Sequence, residues 1–159
     1  MLHCLFVSTC FSVIYLLFHT FPSSTAFDLH HYYVALSVGS NDVCDASLSP
    51  ECIVEGLMDL SRTLLTKFGV IRVIVCLILH RSNWTHHMRG LTLAAYNARV
   101  DMVNRFLQRR LRKNGHITFW KHQGCIGPNH LGDDGVHLNE KGLRMYRRSL
   151  YTALTYNLY

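Results

Sequence analysis

Apolar and polar positions alternate along this chain between strand-like runs and helix-like stripes. Residues 32–38 form a short apolar run that ends at Gly39, which is typical of a buried strand. Residues 70–79 are almost continuously apolar and rich in Val and Ile, broken by Arg72, which indicates a parallel strand covered on both faces. Residues 117–120 form a third apolar run. The pattern therefore predicts three buried strands.

Three segments with helical periodicity separate and follow these runs. Pro50 opens the first segment and Gly69 supplies its stop. The second segment ends at Asn114-Gly115, and the third begins near Asn139. Their apolar stripes, in chain order, are Ile53, Leu57, Leu60, Leu64 and Phe68, then Tyr96, Val100, Val103, Leu107 and Leu111, then Leu143, Tyr146, Leu150 and Leu154.

The predicted order is strand, helix, strand, helix, strand, helix. With right-handed crossovers this order gives an α/β fold, a three-layer αβα arrangement with a parallel sheet and helices on both faces. Ligands of such sheets bind beyond the carboxyl ends of the strands. Two polar clusters follow strands in this sequence, residues 39–42 after the first strand and residues 133–137 after the third. We therefore expect both clusters at one edge of the sheet.

The two clusters carry the residue types of an ester-hydrolysis site. The imidazole of His137 can, in its neutral form, take a proton from a hydroxyl nucleophile, and Asp134 can orient the ring and stabilise its charged form. Gly39 allows a tight turn with close backbone approach. Asn41 can offer a side-chain N–H to an oxygen that gains negative charge, a donor worth roughly 2.7–4 kcal/mol in other hydrolases. Three of the four parts of such a site are present.

At these residues the sequence resembles the SGNH (GDSL-like) hydrolase family. Residues 39–42 (Gly-Ser-Asn-Asp) match its Gly-x-Asn-Asp block, and residues 134–137 (Asp-Gly-Val-His) match its Asp-x-x-His block, in the same order and about 95 residues apart. The similarity covers roughly residues 33–154. It implies an SGNH/flavodoxin-like fold and the hydrolysis of an ester or acetyl group through a serine acyl-enzyme.

The resemblance also assigns roles to individual residues of this chain. His137 would be the general base and Asp134 its partner. Gly39 would lie at the substrate turn, and Asn41 would donate to the oxyanion. A small ester or acetylated molecule would be the substrate of a complete site, and no cofactor or metal is implied.

The family's nucleophile block, Gly-Asp-Ser, and a further oxyanion glycine are missing. All ten glycines lie at or after Gly39, so neither block can be matched before it. Ser23, Ser24, Ser37 and Ser40 lack the strand-to-helix turn that presents a nucleophilic serine. We therefore expect an N-terminally incomplete domain, with no nucleophile and with little or no esterase activity from this chain.

The first 26 residues differ in composition from the rest. They contain none of the 26 charged residues, and 16 of them are apolar. Ser24-x-Ala26 resembles a signal-peptide cleavage pattern, although no Lys or Arg precedes the apolar stretch. Five polar interruptions argue against a stable membrane span, which needs about 20 apolar residues. We divide the chain into an apolar segment at 1–26 and a partial SGNH-type domain at 27–159, with secretion as the expectation. A signal anchor and a start without targeting function remain the alternatives.

Two other classes of function compete with the hydrolase interpretation. One is a non-catalytic binding or interaction protein that keeps the fold. The other is a nucleic-acid binder that uses the second helix, where Asp101 alone opposes a run of cations. No stacking aromatics are interleaved there, and basic residues near a helix C-terminus are also favoured by its dipole, so we expect no nucleic-acid binding. These cations are Arg99, Arg105, Arg109, Arg110, Arg112 and Lys113.

Histidines and cysteines add little to the prediction. The eleven histidines lack the spacing of a zinc motif, so we expect no metal site. Cys44 and Cys52 could form a local disulfide in an oxidising compartment, and the spacing leaves that open. Residues 83–85 (Asn-Trp-Thr) form an N-glycosylation sequon, which is compatible with secretion.

Overall fold

A computed structural model describes residues 2–9, 12–19, 31–88, 90–122 and 126–156, with side chains from Tyr33 onward. The predicted cleavage pattern at Ser24-x-Ala26 and the hydroxyl of Ser23 lie outside these residues. The predictions of a signal peptide and of secretion therefore remain predictions. No helix within the described ranges is long and apolar enough to cross a membrane.

The described chain forms five strands and three long helices. Short 3-10 turns at Asp42–Cys44 and Pro128–His130 lie between them. The elements in chain order are β1 (Leu2–Thr9), β2 (Ser12–His19), β3 (His31–Ser37), α1 (Pro50–Lys67), β4 (Val70–Cys76), α2 (Leu93–Leu111), β5 (Ile117–Trp120) and α3 (Glu140–Tyr156).

The sheet has the order β1-β2-β3-β4-β5. Strands β3, β4 and β5 are parallel, with Val34 opposite Val73 and Val73 opposite Ile117. The backbones of β1 and β2 form an antiparallel pair that extends the sheet beside β3. The parallel strands, with helices on both sides of the sheet, confirm the predicted α/β class.

Side-chain alternation along the strands assigns the helices to two faces. Val34 and Leu36 of β3 belong to the cluster that packs against α1 and α2. Tyr33 and Ala35 point to the opposite face, where the cluster is completed by residues of α3 such as Tyr146. Both faces of the parallel strands are therefore buried, which explains why their sequences read as continuous apolar runs.

Local sequence signals fix the helix starts. Ser49 Oγ accepts a hydrogen bond from the backbone N–H of Cys52 at 3.2 Å, and Pro50 occupies the first helical turn of α1. Thr92 Oγ1 accepts from the N–H of Ala95 at 3.1 Å and caps α2 in the same way. These caps place the helix starts between the predicted strands.

One predicted element is too long. The apolar run at 70–79 predicts a ten-residue strand, whereas β4 ends at Cys76. Beyond it, the backbone N–H and C=O of Ile78 pair with the side-chain amide of Asn104, at 3.0 and 2.9 Å. A buried side chain of α2 thus replaces a neighbouring strand as hydrogen-bond partner, which apolar patterning does not show.

The cysteines of the described domain are free thiols. Cys44 is buried and Cys52 is exposed, and neither is in a disulfide. The local bridge that spacing left open is therefore not formed in this structure. Burial, the largest effect, raises the pKa of the Cys44 thiol, so this group is a small core side chain in its neutral form.

Candidate functional site

The side chains of Asp134 and His137 form a hydrogen-bonded pair in the loop before α3. Asp134 Oδ2 bonds His137 Nδ1. Its Oδ1 accepts the backbone N–H groups of Val136 and His137, at 2.9 and 3.0 Å. The pair leaves His137 Nε2 without a protein partner among the described residues, and the imidazole is 76% exposed. This is the arrangement that a base with an orienting carboxylate requires.

The carboxyl group of Asp134 is held in its charged form. The hydrogen bond from His137 is the largest cause, and the backbone N–H groups of Val136 and His137 add to it, so that the pKa of Asp134 falls to about 2. The group is therefore an anion at neutral pH. It can stabilise a charged imidazole next to it.

Gly39 makes the turn that the sequence assigned to it. Its φ is +101°, and a Cβ at this position would lie 2.9 Å from Ile78 Cδ1. The turn is closed by the N–H of Val43 donating to the Gly39 carbonyl at 3.1 Å, and by the N–H of Cys44 donating to the Asn41 carbonyl at 2.9 Å. Asn41 is half-buried within this turn.

Ser40, the variable residue of the same block, is bound away from His137. Its Oγ lies 2.9 Å from the hydroxyl of Tyr96 and accepts from Arg81 Nη2 at 3.1 Å. Tyr96 is fully buried, and that burial, as the largest effect, raises the pKa of its phenol. Ser40 therefore has two structural partners and no hydrogen bond to the His137 imidazole, as expected of a residue that is not the nucleophile.

A loop after β4 joins the two predicted clusters. We call residues 81–85 the bridging loop. The N–H of Ser82 donates to the Gly135 carbonyl at 2.9 Å, and Asn83 Nδ2 donates to the Asp133 carbonyl at 2.9 Å. Arg81, at the other end of the loop, bonds Ser40. The bridging loop thus links the turn at 39–42 with the loop at 133–137.

Arg81 is a functional candidate that the sequence analysis missed. The side chain is only 6% exposed, and its guanidinium carbon lies 4.6 Å from the centre of the Tyr96 ring. Nη1 donates to Thr85 Oγ1 at 3.1 Å, and Nε has no partner among the described residues. The available signal was a charged residue two positions after the apolar run at 70–79, at the sheet edge where both motifs lie.

The sequon lies within the bridging loop. Asn83 is exposed, but its amide already donates to the Asp133 carbonyl. Thr85 accepts from Arg81. Both polar residues of the sequon therefore have structural roles in the folded domain.

A second histidine, His122, lies in the core and not at a site. It is 8% exposed, its Nδ1 lies 3.1 Å from Ser149 Oγ, and its ring packs at 4.2 Å against Tyr146 of α3. Burial lowers the pKa of His122 to about 4. Ser149 also accepts from Trp120 Nε1 at 3.0 Å and is itself buried. The Ser149–His122 pair is therefore a packing contact that substrate does not reach.

Part of the basic face of α2 is structural. Arg99 donates to the carbonyl oxygens of Val43, Asp45 and Leu48, at 3.2, 2.9 and 2.6 Å, and so holds the segment before α1. Arg110 pairs with Glu55 of α1 at 2.7 Å. These two cations are engaged inside the domain and reduce the charge available to an external polyanion.

The described ranges contain no group of three His, Cys, Asp or Glu side chains that could hold a metal ion. An open groove of about 380 Å³ lies on the α2 side of the sheet, between Leu77 and Lys121. None of the four predicted site residues lines this groove, so it is separate from the candidate site.

Comparison with known proteins adds no assignment. No protein-family model matches the chain, and no curated protein matches it. What is established is a small α/β domain with a paired Asp and His at the carboxyl edge of its parallel strands. Any function has to be argued from those residues.

Proposed function

We propose that this chain is an SGNH hydrolase-type domain that holds the acid–base part of an ester-hydrolysis site. The Asp134–His137 pair is the observation that carries the proposal. A charged carboxylate bonds one ring nitrogen, and the other has no protein partner in the part of the chain that the structure describes. The bridging loop connects this pair to the Gly39 turn.

In the proposed reaction His137 Nε2 accepts the proton of a hydroxyl nucleophile as its oxygen attacks the ester carbonyl carbon. Asp134 stabilises the imidazolium that forms. The carbonyl oxygen gains negative charge, and Asn41 offers its side-chain N–H to it. The proton then passes from His137 to the leaving alcohol, and water repeats the cycle to release the acid.

The sequence has no Gly-Asp-Ser block to supply a nucleophile for this reaction, and two serines of the described domain are engaged in other contacts. Ser40 is bonded to Tyr96 and Arg81, and Ser149 is buried against Trp120. We therefore propose that the 159-residue chain has little or no serine-esterase activity, because losing a triad nucleophile leaves only the residual rate due to binding and oxyanion groups.

A serine-directed fluorophosphonate probe tests this proposal on the full chain. We expect no labelled serine by mass spectrometry, and the same result for Ser40→Ala. Stoichiometric labelling of one serine would overturn the proposed inactivity.

The role of His137 as the base is tested separately, on coding sequence upstream of Met1. An in-frame Gly-Asp-Ser segment there would give a longer chain that we expect to be labelled on that serine, and labelling should be lost in His137→Gln. Unchanged labelling in that variant would contradict the role of His137.

A non-catalytic binding protein is the alternative function. It is supported by the hydrogen bonds that engage the Ser40 hydroxyl with Tyr96 and Arg81. The basic-helix alternative has less support, because Arg99 and Arg110 are engaged internally. Titration of DNA or RNA at several salt concentrations separates these functions. A steep loss of affinity with salt would favour the remaining exposed cations of α2 and of the two residues after it, which are Arg105, Arg109, Arg112 and Lys113.

A further inference from the structure

We infer that Arg81 is a positioning residue that couples the two halves of the candidate site, holding the turn at 39–42 in register with the loop at 133–137. Neither motif contains Arg81. Its guanidinium bonds Ser40 of the first motif, and the residue that follows it, Ser82, bonds Gly135 of the second. The coupling runs through the bridging loop. The inference rests on the site proposed above but does not depend on its catalytic activity.

The first half of the coupling is a network around Ser40. Arg81 Nη2 donates to Ser40 Oγ at 3.1 Å and lies 3.5 Å from the Ser40 carbonyl oxygen. The Tyr96 hydroxyl lies 2.9 Å from the same Oγ and donates to the same carbonyl at 3.3 Å. The guanidinium stacks on the Tyr96 ring at 4.6 Å. One buried cation thus fixes both the side chain and the backbone of the residue between Gly39 and Asn41.

The second half is the backbone that continues from Arg81. Asn97 of α2 accepts from the Arg81 N–H and donates to the Arg81 carbonyl, both at 3.0 Å, so this residue has a fixed place on the helix. The next two residues bond the Gly135 carbonyl and the Asp133 carbonyl. The segment between Arg81 and the Asp134–His137 loop is therefore one or two residues long and hydrogen-bonded at both ends.

The environment of Arg81 favours a geometric role over a purely stabilising one. No carboxylate among the described residues pairs with it, and its Nε has no partner among them. Burying a cation is costly, and an apolar side chain of similar volume often stabilises a core as well or better. The stacking and the hydrogen bonds to Ser40 and Thr85 offset part of the cost. They also require the planar, forked shape of arginine, which lysine lacks.

Site-resolved amide hydrogen exchange on the full chain tests the coupling. In Arg81→Gln we expect exchange to become about tenfold faster at residues 133–137 as well as at 40–44. Arg81→Lys should show the same pattern, because it keeps the charge but loses the fork and the stacking. Arg110→Gln is the matched control, since it removes an equal charge from an exposed pair with Glu55 and should leave both segments unchanged.

A reciprocal experiment starts from the other half of the site. Gly135→Ala would place a Cβ against Asn83 and should accelerate exchange at 40–44, at the other end of the bridging loop. A spectroscopic readout accompanies both experiments. The 15N chemical shifts of the His137 ring, whose Nδ1 bonds Asp134, should change in Arg81→Gln, which a local role at Ser40 alone would not cause.

The outcomes separate coupling from simple destabilisation. Faster exchange confined to 40–44 in the Arg81 variants would overturn the inference, as would a uniform increase over all amides that matches the global loss of stability. If Arg81→Gln does not fold, Arg81→Lys and Gly135→Ala decide the question. Fluorophosphonate labelling reports on the proposed function alone, so the coupling can fail while that proposal stands, and the reverse.

Discussion

Gly135 and Asn83 approach each other so closely that only glycine fits at position 135. A Cβ added to Gly135 would lie 2.5 Å from the backbone nitrogen of Asn83, and the φ of Gly135 is +66°. The contact is between two loops that are far apart in sequence, one carrying the Asp134–His137 pair and the other following β4. It packs the bridging loop against the loop that carries the Asp134–His137 pair.

Replacing Gly135 by alanine should therefore destabilise the domain by more than its backbone conformation alone explains. A non-glycine residue with positive φ costs roughly 1–3 kcal/mol, and the overlap with Asn83 adds to that. Gly69→Ala is the matched control, because Gly69 has the same φ of +66° with nothing within 4 Å of its added Cβ. We expect urea unfolding to give a larger loss of free energy for Gly135→Ala than for Gly69→Ala. Equal losses would contradict the close contact.

Most of the fold could be predicted because its signals are local. Pro50, the stop at Gly69 and the apolar runs identified the helices and the parallel strands. The predicted strand extended beyond the end of β4. There the backbone bonds the side chain of Asn104, which belongs to a different element, instead of a neighbouring strand. Hydrophobic periodicity does not contain that information, because it reports burial and not the identity of the hydrogen-bond partner.

The candidate site was predictable only in part. Asp134 and His137 are three residues apart in one loop, so their pairing follows from sequence alone. Arg81 and Tyr96 contribute through tertiary contacts with Ser40, across 41 and 56 residues of chain. An arginine that follows a strand can have many different roles at the protein surface. Its burial becomes evident only when the turn at 39–42 packs over it.

Two glycines inside helices should respond in opposite directions to alanine. Gly56 lies in α1 with nothing within 4 Å of an added Cβ, whereas a Cβ at Gly142 of α3 would overlap the His130 carbonyl oxygen. Gly56→Ala should raise the free energy of unfolding by about 0.5–1 kcal/mol, because alanine is the better helix former. Gly142→Ala should lower it, because α3 must move away from the loop that precedes it. Chemical denaturation of the two variants checks both signs, and stabilisation by Gly142→Ala would show that this contact can relax freely.

The acidity of Asp134 provides a direct test of the Asp–His pair. Because the hydrogen bond from His137 is the largest cause of its pKa of about 2, His137→Gln should raise that pKa toward the ordinary value of 3.8. The backbone N–H groups of Val136 and residue 137 remain, so the pKa should stay below 3.8. Carbon-detected NMR titration of the carboxyl group measures this. Asp45 is the internal control, since the hydrogen bonds from Ser47 that lower its pKa are untouched. An unchanged Asp134 titration would mean that the pair does not form in solution.

Burial of His122 should make the domain sensitive to moderate acid. The folded state holds this imidazole neutral with a pKa of about 4, against 6.5 for the free side chain, so the unfolded chain binds the extra proton first. Stability from this group is therefore complete above pH 6.5 and is lost as the pH falls from about 6.5 toward 4. The shift corresponds to a loss of up to about 3 kcal/mol over that window.

The measurement is the free energy of unfolding as a function of pH for the native chain and His122→Gln. The variant should be less stable at pH 7, because the contacts with Ser149 and Tyr146 are altered, but it should lose less stability between pH 6.5 and 4. His86→Gln, a change at an exposed imidazole, should keep the native pH dependence. If the free energy of unfolding falls in parallel with pH for the native chain and His122→Gln, a group other than His122 causes the acid sensitivity. A slope lost only in His122→Gln would identify the contact between His122 and α3 as the acid-sensitive part of the domain.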